Sequence, residues 1–307
     1  MIQISIQEML DAGAHFGHQT RRWNPKMKPY IYGTRSGVHI IDLQQTLTLS
    51  QKGLGFLEEV VGRGEDVLFV GTKKQAQKVV EEEAKRCSMP YVTHRWMGGT
   101  LTNFQTIKKS VDRLIDIETR RTNNDFQGYT KKELLGIDRE IEKLLSALGG
   151  IRNMKIRPGA LFVVDPGQER IAVHEAQILE IPVVAMTDSN CDPDPISYPM
   201  PANDDALRSI QLFTARAADA CLAGLEKREL RAREEGVKGG GEMKKRPGRK
   251  FQEMEGGAGK AYVSRVDKFE EGEAVESFSA AVTKEEPTSI AEELAKEETA
   301  EEKKKEE

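Results

Sequence analysis

Apolar and polar positions along residues 1–225 follow two alternating periods. Short unbroken apolar runs, Val67-Leu68-Phe69-Val70, Ala160-Leu161-Phe162-Val163-Val164 and Pro182-Val183-Val184-Ala185-Met186, read as strands buried on both faces. Helical periods run between them: from Asp42 or Thr46, either of which can cap, to about Val61, from Lys73 to Arg86, from Gln168 to about Leu179, and from Asp204 to about Leu225. Pro90-Tyr91-Val92, Tyr30-Ile31-Tyr32 and Val38-His39-Ile40-Ile41 add shorter strands. Ser5-Ile6-Gln7-Glu8 is a capping box that opens a short N-terminal helix carrying Met9 and Leu10. Strands and helices that alternate this way predict an α/β fold with a parallel sheet covered on both faces.

One segment breaks the alternation. Between Thr102 and Leu148 the apolar residues Ile107, Val111 and Leu114, then Leu134, Ile137, Ile141, Leu144 and Leu148, recur at spacings of three and four. That is the seam of paired helices, with the turn near Thr122-Asn123-Asn124-Asp125 and Gln127-Gly128-Tyr129-Thr130. The expected organisation is a sheet domain over 1–101 and 149–225, an antiparallel coiled-coil hairpin over 102–148, and a charged tail over 226–307. The hairpin either packs on its own domain or projects; charged outer faces favour projection. In the tail, apolar periodicity fades, Gly239-Gly240-Gly241 interrupts the chain and Glu/Lys runs close it. Disorder is expected there after an extension of the last helix through Arg231 and Arg233, with a short ordered piece around Tyr262-Val263.

Charge changes the picture once it is divided. The net charge is -4 over 307 residues. Residues 267–307 hold 15 acidic and 6 basic side chains, which leaves 35 acidic and 40 basic in residues 1–266. A basic body permits nucleic acid as a partner where the whole-chain value argues against it. The first residues carry neither a basic start nor an apolar leader core, and no apolar run reaches bilayer length, so neither secretion nor membrane insertion is expected. Cys87, Cys191 and Cys221 form no C-x-x-C pair, which fits free thiols in a reducing compartment.

The strongest chemical signal lies between Asp11 and Asp42, where no acidic residue occurs. This segment holds Arg21, Arg22, Lys26, Lys28 and Arg35, with His15, His18 and His39 beside them and Trp23, Tyr30 and Tyr32 interleaved. Asn24-Pro25 and Lys28-Pro29 disfavour helix and predict an extended backbone. Cations of this density neutralise phosphates, and aromatic rings stack on unpaired bases, so RNA is the expected ligand. The bland alternative is a solvated basic loop. His15 and His18, three apart but separated by Gly17, make a poor metal pair by themselves.

Other candidates lie after strands. Gly71-Thr72-Lys73-Lys74 opens a helix, a phosphate-friendly position, yet neither phosphate-loop pattern is present; Lys73 and Lys74 facing RNA is the preferred reading. Arg95-Trp96-Met97-Gly98-Gly99 reads as a structural junction, with Arg95 a further RNA candidate. Asp165, Asp188 and Asp192 follow strands, where open parallel sheets gather ligands, so a nucleotide- or Mg²⁺-dependent enzyme is the alternative. Turn and cap chemistry explains the same aspartates.

These motifs coincide with a family. Ala12-Gly13-Ala14-His15-Phe16-Gly17-His18, Arg22-Trp23-Asn24-Pro25-Lys26-Met27, Phe69 through Ala76, Arg95 through Phe104, and Pro158 through Asp165 with the following helix bearing Glu169, Val173 and Glu175 resemble bacterial small-subunit ribosomal protein two. The resemblance covers about residues 2–225. It implies a flavodoxin-like doubly wound parallel sheet with an inserted coiled-coil hairpin, and a structural role without catalysis or cofactor. It implies contact with small-subunit ribosomal RNA on the solvent side near the head–body junction, late assembly, and help in docking small-subunit protein one, which captures messenger RNA. The expected location is the cytoplasmic ribosome, with no homo-oligomer. The RNA-binding set carried forward is His18, Arg21, Arg22, Trp23, Lys26, Lys28, Tyr32, Arg35, Lys73, Lys74 and Arg95. The link Leu179-Glu180-Ile181-Pro182 departs slightly from the family pattern, and the long tail lies outside it.

Overall fold

The structure, a computed structural model, describes residues 4–239 apart from positions 124 and 127. Expectations for residues 240–307, Tyr262-Val263 included, lie outside the described residues.

The chain opens with helix α1, Ile6–Asp11. Its capping box is realised: Glu8 N–H donates to Ser5 Oγ at 3.1 Å, and Ser5 N–H donates to the Glu8 carboxylate at 2.8 Å. Strands β1 (Phe16–Gln19), β2 (Ile31–Arg35) and β3 (Val38–Ile41) follow and form an antiparallel sheet in the order β1-β3-β2. The acid-free segment is therefore a small sheet of its own. Its centre is not extended as expected: Pro25–Tyr30 is a 3-10 helix. Asn24 supplies the reason, because its side chain accepts from Lys26 N–H while Pro25 fills a first-turn position where a missing N–H costs nothing.

Helix α2, Leu43–Gly62, is capped by Asp42, whose side chain accepts from Gln44 N–H. Thr46, the other cap candidate, is buried inside the helix and donates to Pro201 O. Then come β4 (Val67–Val70), α3 (Lys74–Arg86) and β5 (Tyr91–Val92). Gly71 must be glycine, since a Cβ there would lie 2.9 Å from Val80 Cγ2. Helices α4 (Phe104–Thr122) and α5 (Lys131–Leu148) occupy the segment without strand signal. They pack on each other, and Arg113–Glu140 and Arg121–Asp138 pair across them at 2.6 and 2.9 Å. Ile107, Val111 and Leu148 at their base enter the sheet-side core, while Leu134, Ile137 and Ile141 are half-buried along the seam.

Strand β6 (Ala160–Val164), helix α6 (Arg170–Ile178), strands β7 (Val183–Thr187) and β8 (Tyr198–Pro201), and helix α7 (Leu207–Gly239) complete the fold. The parallel sheet runs β5-β4-β6-β7-β8. Counted within the sheet this is 2-1-3-4-5, the order of flavodoxin-like sheets. β8 was not expected from sequence: Pro199 and Pro201 argue against a strand, but an edge position tolerates missing N–H donors. Alternate residues enter opposite cores. Val67, Phe69, Phe162 and Val184 face α2, α3 and α7; Leu68, Val70, Leu161, Val163 and Ala185 face α4, α5 and α6. α7 continues well past Leu225, where Lys227 pairs with Glu58 and Arg231 donates to Gly62 O, both on α2.

Candidate nucleic-acid interface

Four loops at the carboxyl ends of the parallel strands place charged groups together. Lys73, after β4, extends its ammonium to Asp204 Oδ1 at 2.8 Å, Asp205 Oδ1 at 2.6 Å and Asp165 Oδ2 at 3.6 Å. Asp165 follows β6 in the left-handed region, φ 60°, and Asp188 follows β7. His18 reaches in from β1: its Nδ1 lies 2.9 Å from Asp188 Oδ2 and its Nε2 3.4 Å from Asp205 Oδ2. Asp165, Asp188 and Asp204 are all buried.

The electrostatics follow from that crowding. Burial and the neighbouring Asp165 and Asp188 charges push the Asp204 carboxyl up to about 7, against the opposing pull of Lys73. The Asp188 contact raises His18 to about 8 in spite of burial, with Asp204 and Asp205 adding to it. Burial depresses Lys73, but Asp204, Asp205 and Asp165 outweigh it and hold the ammonium charged well above the ordinary lysine range. Burial, with Asp165 and Asp204 nearby, pushes the Cys191 thiol up to about 12. Burial also raises Glu169, which accepts from Thr72 N–H at 2.9 Å and from the Thr72 hydroxyl.

The basic segment is seated on this edge by backbone contacts. His18 N–H donates to Ser189 Oγ and Asn24 N–H to Ser189 O, both at 2.8 Å. Asn203 N–H donates to Ala14 O at 3.0 Å. Gly17 passes so close that a Cβ would lie 2.9 Å from Ser189 Oγ and 3.1 Å from Asp188 Oδ1. Lys26 closes the far side, 2.8 Å from Asp192 and 2.5 Å from Asp194.

The sequence-derived RNA candidates thus fall into distinct settings. His18 and Lys73 are turned inward onto aspartates, and Lys26 is paired at the surface. Trp23 is half-buried, its ring 5.1 Å from that of buried His39. Arg21, Arg22, Lys28, Arg35, Lys74 and Arg95 are exposed, and Tyr32 is 82% exposed. Asp192 does not join Asp165 and Asp188 as the enzyme alternative expects; Asp204 and Asp205 do, although in sequence they read only as a helix start.

A second arrangement was missed from sequence. The Glu175 carboxylate, on α6, accepts from Trp96 Nε1 at 3.1 Å, from the N–H groups of Gly99, Leu101 and Thr102 at 2.8–3.1 Å, and from the Thr102 hydroxyl at 3.1 Å. Burial pushes this carboxyl up, but these donors win and hold it below the ordinary glutamate value. Trp96 is therefore a buried structural ring, and the Arg95–Phe104 junction is fixed by an acid 73–79 positions away in sequence that carries no local signal.

The class defined here is an α/β protein with a flavodoxin-like parallel sheet whose strand-end acids are held by its own lysine and histidine and covered by a small basic antiparallel sheet. The particular family follows from comparison: the chain belongs to the ribosomal protein S2 family, whose model, described as Ribosomal protein S2, matches residues 9–224. The small ribosomal subunit protein uS2 of Sorangium cellulosum is 54% identical over 226 residues, covering 74% of this chain and 81% of that protein. Those of Maridesulfovibrio salexigens and Geotalea uraniireducens are each 53% identical, over 229 and 231 residues, covering 75% of this chain and 88% and 90% of theirs. The role is structural and ribosomal, and the enzyme alternative falls with that membership. Among the described residues no helix is long and apolar enough to cross a membrane.

Proposed function

We propose that this protein binds small-subunit ribosomal RNA through the antiparallel sheet and turns of residues 12–41. The observation that carries the reading is a division of labour within one acid-free segment. His18 and Lys26 engage the acids of the sheet edge, and Arg21, Arg22, Lys28 and Arg35 stay exposed beside Tyr32. Exposed cations release counterions from phosphates, and an exposed ring offers a stacking surface. Lys74 and Arg95, exposed after β4 and β5, extend the cationic surface. Lys73 and His18 act by positioning: they hold the seat on which the segment rests. Trp23 supports the segment from beneath against His39.

In the same reading α4 and α5 form a coiled-coil hairpin presented to ribosomal neighbours, and the assembled protein supports docking of small-subunit protein one for translation. Titrating the full chain with small-subunit ribosomal RNA at increasing salt tests the RNA contact. Affinity that falls steeply with salt, and falls further in Arg22→Ala, supports it; salt-independent affinity, or none, overturns it.

A further inference from the structure

We propose that His18, Asp188 and Asp204 form a binding site for one divalent transition-metal ion of the zinc class. One ligand atom from each of the three lies within 4.8 Å of the other two. Zinc–nitrogen and zinc–oxygen bonds of about 2.0–2.2 Å put neighbouring ligands of a tetrahedron roughly 3.4 Å apart, so small rotations suffice.

The convergence alone is an acidic cluster with a histidine. What distinguishes it is where the unused atoms are. Asp204 Oδ2 has no partner among the described residues although Asp204 is 0% exposed, and the Oδ2 of Asp188, 1% exposed, meets only the His18 ring. Leaving such groups unpaired in the interior is costly, and native proteins rarely do it. His18 Nδ1 and Asp188 Oδ2 stand 2.9 Å apart and share a proton in the unloaded protein, a proton that a metal ion binding both atoms would displace.

Each ligand is also held from behind by its other atom. Asp205 Oδ2 lies 3.4 Å from His18 Nε2, the carboxylate–histidine pairing that keeps the proton on one ring nitrogen and turns the other toward a metal. Asp188 Oδ1 accepts from Ser189 Oγ at 2.9 Å and from Ser189 N–H. Asp204 Oδ1 accepts from Lys73 Nζ at 2.8 Å. Charge points the same way: four carboxyl groups share one ammonium and one imidazole, Asp165, Asp204 and Asp205 at Lys73 and Asp188 at His18. An imidazole with two carboxylates selects a zinc-class ion over magnesium, which prefers an all-oxygen octahedron. The ion would tie β1 to the loops after β7 and β8.

The test uses the full chain, stripped with chelator and titrated with Zn²⁺ by calorimetry and metal analysis, with Co²⁺ as a spectroscopic probe. One equivalent should bind, and Co²⁺ should give the intense visible bands of a four- or five-coordinate protein site. His18→Ala should lose at least about 100-fold in affinity, and Asp205→Asn about 10–100-fold. Cys191→Ser should bind within about threefold of the unmodified chain, because Cys191 belongs to the adjoining Asp165–Cys191–Asp204 group and not to this one. Should His18→Ala fail to fold by circular dichroism, the Co²⁺ spectrum of the unmodified chain decides. A spectrum of hydrated Co²⁺, uptake unchanged in His18→Ala, or uptake lost only in Cys191→Ser overturns the proposal.

Discussion

The backbone N–H of His18 donates to Ser189 Oγ at 2.8 Å across 171 positions of sequence. That bond, with Ser189 O accepting from Asn24 N–H, fixes the height at which the basic segment rests on the sheet edge. Gly17 allows the approach, so Gly17→Ala tests it. The added methyl meets Ser189 Oγ and Asp188 Oδ1, which already hold each other. The expected loss is about 1–3 kcal/mol in urea unfolding, with RNA affinity falling alongside. Unchanged stability would mean that the seat is looser than its distances indicate.

Glu175→Gln should destabilise by about 2–3 kcal/mol, because an amide returns an NH₂ group to a pocket of converging donors. The effect has a pH signature. The Glu175 carboxyl is held below its ordinary value, so its contribution is full above about 4.5 and is lost as pH falls through the depressed folded value. The stability gap between the unmodified chain and Glu175→Gln should therefore be constant near neutrality and narrow in acid. A gap independent of pH would assign the effect to packing.

Neutralising cations should separate those facing solvent from those already paired. Arg22→Ala and Lys28→Ala should each lower the slope of log affinity against log salt by about 0.7–0.9 if each meets one phosphate. Lys26→Ala should change that slope less, because its ammonium sits between Asp192 and Asp194. Equal slopes for all three would show that the surface pairs dissolve on binding.

Two helical glycines should respond oppositely to alanine. Gly224 lies where α7 crosses α2, and a Cβ there would sit 2.7 Å from both Glu58 O and Val61 Cβ. Gly224→Ala should cost about 1–3 kcal/mol. Gly55 in α2 faces open space, so Gly55→Ala should stabilise by about 0.5–1 kcal/mol. Thermal unfolding of the two variants checks both signs.

Much of the scaffold was legible because its causes are local. Val67–Val70, Ala160–Val164 and Val183–Thr187 are apolar on successive residues because both sheet faces are covered, and that leaves a pattern in the chain. The helices announced themselves through caps and periods, the Ser5–Glu8 box among them, while the Thr130–Glu133 box emerged only in the structure. The acid-free segment was also visible, since it is a statement about composition. By itself the sequence determined the α/β class, the helical pair over Phe104–Leu148 and the presence of a cationic surface. Only the tertiary structure decided that Pro199 and Pro201 lie in an edge strand, that Lys73 faces inward, and that His18 meets Asp188 and Asp205. Those outcomes depend on which strand ends the topology brings together. Positions 18, 188, 204 and 205 share no period or motif; the aspartates meet because a parallel sheet delivers its carboxyl ends to one edge, and His18 joins them because β1 is seated on that edge.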